Sequence, residues 1–314
     1  MTGRTIASQF GREFDEMLKR ARPDLEVISL PRSLEWPLPH AVSVLLAFPF
    51  LPELRRQPQP AGWPFGLEWI QLISIGVDNY PRWLLQGTRI STAHGSSSQT
   101  ISDYVLACVL QHALRLHDRR AREPSQWRQT RAPALAGSTL GLFGFGGIGQ
   151  ALAPKAIALG LRVRALRRSD APLGVDGVER AADLADLLAT SDHLALVAPG
   201  TDATHHVIDA AALAHAKPGL HLINVSRGSL VDQAALIAAL DAGRLGFASL
   251  DVTEPEPLPE GHPLYTHPRV QLTPHTCAIS PQVQEALLAK VLSGLDALAR
   301  GEHPADPVNL ARGY

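Results

Sequence analysis

From Thr139 onward, short runs of leucine and β-branched residues alternate with alanine-rich stretches whose apolar positions recur at helical spacing. This alternation predicts a parallel sheet covered by helices, because each parallel pairing needs a crossover of a dozen or more residues. The expected strands are 139–143, 161–166, 193–198, 220–225, 246–250 and 270–272. The expected helices are 148–159, 182–189, 210–214 and 233–240, the last stopped by Gly243. The first hundred residues carry a looser version of the same pattern, with strands at 25–30, 42–47 and 69–75 and a helix at 14–20. Thr100-Ile-Ser-Asp103 has the spacing of a capping box and opens an apolar stretch through Leu116, which predicts a long helix joining the two regions. Near the end of the chain, Ser280 and Pro281 read as an N-cap and first helical residue. Val283, Leu287, Val291 and Leu295 form one stripe, and Gly301 closes the helix.

The resulting fold is α/β with two domains. One is discontinuous, 1–102 with 282–314, and 103–281 forms a doubly wound domain between its parts. The proline-rich stretch from Pro49 to Pro64 reads as a loop.

Composition narrows the partners. The 314 residues suit two cores better than one. Lys plus Arg 29 against Asp plus Glu 30 leaves a net charge of −1, so neither nucleic acid nor an anionic membrane is expected as a partner. No apolar run has the length of a bilayer span, and the first residues lack the apolar core of a signal peptide, so a cytoplasmic protein is expected. Cys108 and Cys277 have no short spacing and read as free thiols. The vicinal pair His205 and His206 is not at i, i+4, and no cysteine or carboxylate cluster joins it, so no metal site is expected.

Gly144-Phe145-Gly146-Gly147-Ile148-Gly149 follows the strand 139–143 directly and opens a helix. In that setting the glycines permit a tight turn and bring amide N–H groups to a pyrophosphate at the helix N-terminus, the arrangement of a dinucleotide-binding fold. About twenty residues later, where an acid would bond the ribose of NAD, the chain has Arg167-Arg168-Ser169. Two guanidinium groups and a hydroxyl match a 2′-phosphate better, pointing to NADP, with NAD use left open; solvated surface arginines are the plainer alternative.

Three further segments place reactive side chains at expected strand ends: Asn224-Val-Ser-Arg227, Asp251-Val-Thr-Glu-Pro-Glu256 and Leu272-Thr-Pro-His275. A fixed cation, a carboxylate and an imidazole are what reduction of a keto acid needs. With Ile75-Gly76-Val77-Asp78-Asn79, Ser191-Asp192 and Pro199-Gly-Thr201-Asp-Ala-Thr204, these motifs resemble those of the D-isomer-specific 2-hydroxyacid dehydrogenases over about residues 70–280. The resemblance implies two Rossmann-like domains, a doubly wound dinucleotide domain and a smaller flavodoxin-like substrate domain. It implies hydride transfer between NAD(P) and a small 2-keto or 2-hydroxy acid, as in glyoxylate/hydroxypyruvate reductases.

By that resemblance Arg227 binds the substrate carboxylate and keto oxygen, His275 is the acid/base and Glu256 pairs with His275. Amides around Ile75, Gly76 and Val77 hold the carboxylate. The cofactor is lined by the glycine segment, by Arg167, Arg168 and Ser169, and by Ala198, Pro199, Thr204, Val225, Ser226 and Asp251. The resemblance also implies a homodimer formed through the dinucleotide domain and the segment from Leu114 to Trp127. His94 and Asp103 stand where the family has Asn and Glu. A dinucleotide-sensing corepressor and a formate or phosphite dehydrogenase remain as alternatives. Substrate choice falls to the first domain, where Phe48-Pro-Phe50-Leu51 reads as an apolar pocket wall.

Overall fold

The computed structural model describes residues 4–32, 38, 41–49, 55–116, 119, 121–127, 129 and 131–310. The chain divides into two compact units, Met1–Ser97 with Ser280–Tyr314, and Ser98–Ile279.

In the first unit, strands β1 (Thr5–Ser8), β2 (Glu26–Ser29), β3 (Val42–Ala47), β4 (Trp69–Leu72) and β5 (Arg89–Ser91) pair in the order β2-β1-β3-β4-β5, all parallel. That is the flavodoxin-type strand order. Helix α1 (Arg12–Ala21) buries Phe14 and Leu18, four residues apart on one face, and its acidic first turn and basic last turn suit the helix dipole. Helix α7 (Pro281–Ala299) starts as its sequence predicts, with Ser280 Oγ accepting the Val283 N–H at 3.3 Å and Pro281 in the first turn. It buries Leu287, Val291, Leu295 and Leu298 against Ile6, Phe14 and Trp69. Gly294 is what lets it approach: a Cβ there would stand 2.3 Å from the Trp69 ring.

The second unit begins with α2 (Ser98–Ala113). Its strands β6 (Thr139–Phe143), β7 (Arg162–Leu166), β8 (Val178–Arg180), β9 (His193–Leu196), β10 (Leu220–Asn224), β11 (Leu245–Leu250) and β12 (Val270–Leu272) form one parallel sheet, ordered β12-β11-β10-β9-β6-β7-β8. The order reverses between β6 and β9, the position at which open α/β sheets bind ligands outside the strands' carboxyl ends. Helices α3 (Gly147–Ala158), α4 (Leu184–Thr190), α5 (Ala210–Ala214) and α6 (Gln233–Asp241) supply the crossovers. The last three are capped by Asp183, Asp209 and Asp232, whose carboxylates accept backbone N–H groups.

The structure departs from the sequence expectation in several places. Strands β1, β5 and β8 were not expected; each is three or four residues long, too short to show a period, and forms because a neighbouring strand pairs with it. Helix α2 begins at Ser98, so Thr100 lies in its first turn rather than capping it. Asp103 does not complete a capping box; it accepts from Lys155 Nζ of α3 at 2.6 Å. Pro154 lies inside α3 without ending it, on the exposed face.

Candidate active site

Six of the segments singled out in the second unit leave a strand at its carboxyl end, whereas Ser191-Asp192 precedes β9. The glycine segment follows β6, Arg167 follows β7, Ala198 and Pro199 follow β9, Ser226 and Arg227 follow β10, Asp251 follows β11, and His275 follows β12. Parallel strands point their carboxyl ends one way, so six separate stretches of sequence meet along one edge of the sheet.

The glycine segment has the shape its residues allow. Gly144 has φ +100°, and a Cβ on it would stand 2.7 Å from the Ala198 amide nitrogen, so only glycine lets the turn pass the β9 loop. Its N–H donates to Leu166 O at 2.9 Å, tying the turn to the end of β7. Around Gly146 there is open space where a Cβ would sit, next to the first turn of α3. A backbone that can be approached closely beside a helix N-terminus fits a dinucleotide pyrophosphate. Phe145 is 2% exposed, its side chain in the core, so it contributes packing below the turn.

At the end of β7, Arg167 sits half-buried beside exposed Arg168 and Ser169. Arg167 Nη1 donates to Pro172 O at 3.2 Å. Arg180, which sequence reasoning passed over, donates to Ser169 O at 3.2 Å and Ala171 O at 2.6 Å, and so fixes the shape of this loop. After β9, Thr204 Oγ1 accepts from the Thr201 amide and donates to Pro199 O, each at 2.8 Å. Ser226 Oγ donates to Ala198 O. The first hydroxyl closes the loop after β9 on itself, and the second joins that loop to the one after β10.

Arg227 is placed by a buried asparagine. Asn224, 1% exposed at the end of β10, donates from Nδ2 to Arg227 O at 2.8 Å and accepts the Ser226 N–H at 3.1 Å. The guanidinium donates back to Ser226 O at 2.9 Å. Gly228 then presses on the next loop, since a Cβ at Gly228 would lie 2.0 Å from the Thr253 carbonyl carbon.

That next loop carries Glu256. One of its oxygens accepts the Thr253 N–H at 3.0 Å and the other bonds His275 Nδ1 at 2.9 Å. The imidazole is 46% exposed. The Glu256 hydrogen bond raises the pKa of His275 above its ordinary value, against opposing contributions from burial and from the Arg227 charge. Burial pushes the Glu256 carboxyl up most strongly of any single cause, but the His275 hydrogen bond, the charges of His275 and Arg227 and the Thr253 N–H together outweigh it and leave the carboxyl below the usual range. His275 has φ +53°, and its N–H donates to Asp251 O at 2.9 Å.

Asp251 anchors this loop, a contribution that the sequence did not reveal. Its carboxylate is buried and accepts from Thr273 Oγ1 at 2.6 Å, Thr276 N at 2.9 Å and Cys277 N at 3.0 Å, bracketing His275 on both sides. Thr273 gives its only hydroxyl proton to Asp251, so the 2.5 Å bond between Tyr104 Oη and Thr273 Oγ1 has Tyr104 as donor. Burial pushes the Tyr104 hydroxyl up, and pushes the Cys108 thiol beside it to about 11. Deeper in the sheet, His221 joins Ser249 at 2.9 Å and His193 at 3.1 Å; burial pushes His193 down to about 4, and His221 well below its ordinary value. Both cysteines are free and buried.

In the first unit, Ile75, Gly76 and Val77 follow β4, where Ser74 Oγ donates to Gly76 O at 2.8 Å. Phe48 follows β3 with the Arg32 guanidinium 3.9 Å above its ring, while Phe50 and Leu51 lie outside the described residues.

The family model described as "D-isomer specific 2-hydroxyacid dehydrogenase, NAD binding domain" matches residues 105–277. The glyoxylate/hydroxypyruvate reductase A of Serratia proteamaculans is 34% identical over 260 residues, covering 79% of this chain and 82% of that protein. A glyoxylate reductase of Korarchaeum cryptofilum is 35% identical over 251 residues, covering 75% and 74%. Among solved structures, a D-isomer specific 2-hydroxyacid dehydrogenase from Xanthobacter autotrophicus Py2 in complex with NADPH and MES superposes with a TM-score of 0.83 at 28% identity, covering 100% of both chains. The NADPH-dependent glyoxylate/hydroxypyruvate reductase of Sinorhizobium meliloti, in complex with NADP and sulfate, does so at 0.82 and 28%, covering 99% of this chain and 100% of that one.

Proposed function

This chain belongs to the D-isomer specific 2-hydroxyacid dehydrogenases, NAD(P)-dependent oxidoreductases of CH–OH groups, and we propose that it reduces a small 2-keto acid of the glyoxylate or hydroxypyruvate class with NADPH preferred. The observation that carries this reading is the His275–Glu256 pair on loops that follow β12 and β11, with Arg227 at the end of β10.

When bound, the nicotinamide supplies the hydride. The chain's own residues then have three tasks. Arg227 holds the substrate carboxylate and polarises the keto oxygen, since a guanidinium offers a planar fork to both. His275 bonds Glu256 through Nδ1, which leaves Nε2 to give its proton to the oxygen that becomes the hydroxyl. Glu256 stabilises the imidazolium before transfer and fixes the ring. Asp251, through Thr273, Thr276 and Cys277, keeps the His275 loop in place.

The raised pKa of His275 sets the pH dependence. Reduction needs the imidazolium, so its rate falls as pH rises through that pKa, and hydroxy-acid oxidation shows the opposite limb. Glu256→Gln removes the largest cause of the shift, so both limbs move to lower pH. Unmoved limbs in the pH profiles of kcat/KM would remove Glu256 from this role.

NADPH preference rests on Arg167, Arg168 and Ser169, at the position where NAD enzymes have an acid. One or two charge-assisted bonds to a 2′-phosphate, at about 1.5–3 kcal/mol each, correspond after partial screening to on the order of tenfold to several hundredfold discrimination. Kinetics on a panel of 2-keto acids with both cofactors test the function and the preference together. Arg167→Asp is expected to lose NADPH efficiency while keeping that with NADH. Equal efficiency of the two cofactors in the unaltered enzyme would defeat the preference, and no turnover of any keto acid would defeat the reductase reading.

We further propose a cytoplasmic homodimer. Trp127, 85% exposed in the segment from Leu114 onward, supports an interface there, and the two reduced thiols support the compartment.

A further inference from the structure

The vicinal histidines do not stand alone. The fold brings Glu254, forty-eight residues beyond His206 in the chain, to the pair: Oε2 lies 3.9 Å from Nε2 of His205 and 3.9 Å from Nε2 of His206. The three donor atoms all lie within 4.8 Å of one another. Sequence spacing gave no sign of this carboxylate, which arrives from the loop after β11.

Two features of the backbone build the cluster. Adjacent residues in extended chain send their side chains to opposite faces, so a vicinal pair does not ordinarily share a ligand. His206 has φ +49°, uncommon for a residue with a Cβ, and the two rings lie stacked with centroids 4.0 Å apart and 26° between their planes. The turn before them is fixed by Thr204, and the His206 N–H donates to Ser229 O at 2.7 Å. Glu254 is held through its own main chain, whose carbonyl accepts from Gln233 Nε2, and by the close approach of Gly228 to Thr253.

We propose that His205, His206 and Glu254 bind a late first-row divalent cation such as Zn²⁺ or Ni²⁺, clamping the turn after β9 to the loop after β11. Two imidazoles and one carboxylate suit these metals, whereas Mg²⁺ and Ca²⁺ take oxygen donors. Bonds of about 2.1 Å in tetrahedral geometry need ligand atoms about 3.4 Å apart, so the two His–Glu separations of 3.9 Å close by about half an ångström, and the His–His separation, within 4.8 Å, by no more than about 1.4 Å, through side-chain rotation, which half-exposed groups permit. Solvent completes the coordination. The proposal is independent of the redox chemistry, because none of the three residues is assigned to substrate or cofactor.

Zn²⁺ titrated calorimetrically into the full-length protein at neutral pH tests it. One ion per chain is expected, with affinity weakened at least about tenfold in each of His205→Ala, His206→Ala and Glu254→Gln, and with His275→Gln leaving the site intact. The melting temperature should rise with Zn²⁺ in the unaltered protein and not in Glu254→Gln. Absence of binding overturns the proposal. So does binding that survives all three substitutions, or binding that His275→Gln removes.

Discussion

Replacing His275 by asparagine is expected to lower kcat for keto-acid reduction about 10²–10⁴-fold, the usual contribution of a positioned general acid, while the dissociation constant of NADPH stays unchanged. Asparagine is the informative choice because the backbone at this position has φ +53°, which asparagine tolerates, so the loop should keep its course. The bonds that fix the loop come from Asp251 to the hydroxyl of Thr273 and the amides of Thr276 and Cys277, none of which involves the imidazole. The loss therefore reports the missing proton donor. The descending pH limb assigned to His275 should vanish with it. A variant that keeps a tenth or more of the wild-type kcat would take the acid/base role away from His275.

The second large effect is expected at Arg227. Removing its guanidinium in Arg227→Ala deletes charge-assisted bonds to carboxylate and carbonyl. At about 1.5–3 kcal/mol each, two such bonds amount to about 10²–10⁴-fold in kcat/KM. Arg227→Lys should recover only part, because an ammonium presents no planar fork to two oxygens. Steady-state kinetics with NADPH held saturating separate this from a cofactor defect. Near-normal turnover in the lysine variant would reject the assignment. Folding should survive both changes, since Asn224 holds this turn through the backbone of residues 226 and 227 rather than through the arginine side chain.

How much of this was visible in the sequence differs by element. The central strands of the second unit, β6, β9 and β10, are rich in leucine and buried on both faces, as a buried parallel strand reads, although they also carry His193, His221 and Asn224. The edge strand β8, Val178–Arg180, has two charged residues among its three, and only its pairing with β7 makes it a strand. The same division holds at the site. Arg227, Glu256 and His275 could be singled out because each lies beyond the carboxyl end of a strand in a motif with a chemical rationale, and the structure joins Glu256 to His275. The Tyr104–Thr273–Asp251 chain could not, because its members lie far apart in sequence and meet only when α2 packs against α3 and β10. Glu254 was missed for the same reason. Nothing along the chain links Glu254 to residues 205 and 206, and the backbone turn at His206 that gives the histidines a common direction leaves no trace in residue type.

Gly228 sets a boundary on how this enzyme can be altered. Its missing methyl is the clearance between the strand of chain that bears the guanidinium and the one that bears the carboxylate, and a Cβ there would fall 2.0 Å from the Thr253 carbonyl. No genetically encoded side chain is thinner than hydrogen, so the position admits no wedge. Any displacement of one loop is handed mechanically to the other. With the roles proposed above, re-aiming Arg227 by shifting its backbone would therefore also displace Glu256 and the imidazole it bonds. Directed evolution of acid preference has its freedom elsewhere, in side chains that line the substrate without sharing this seam.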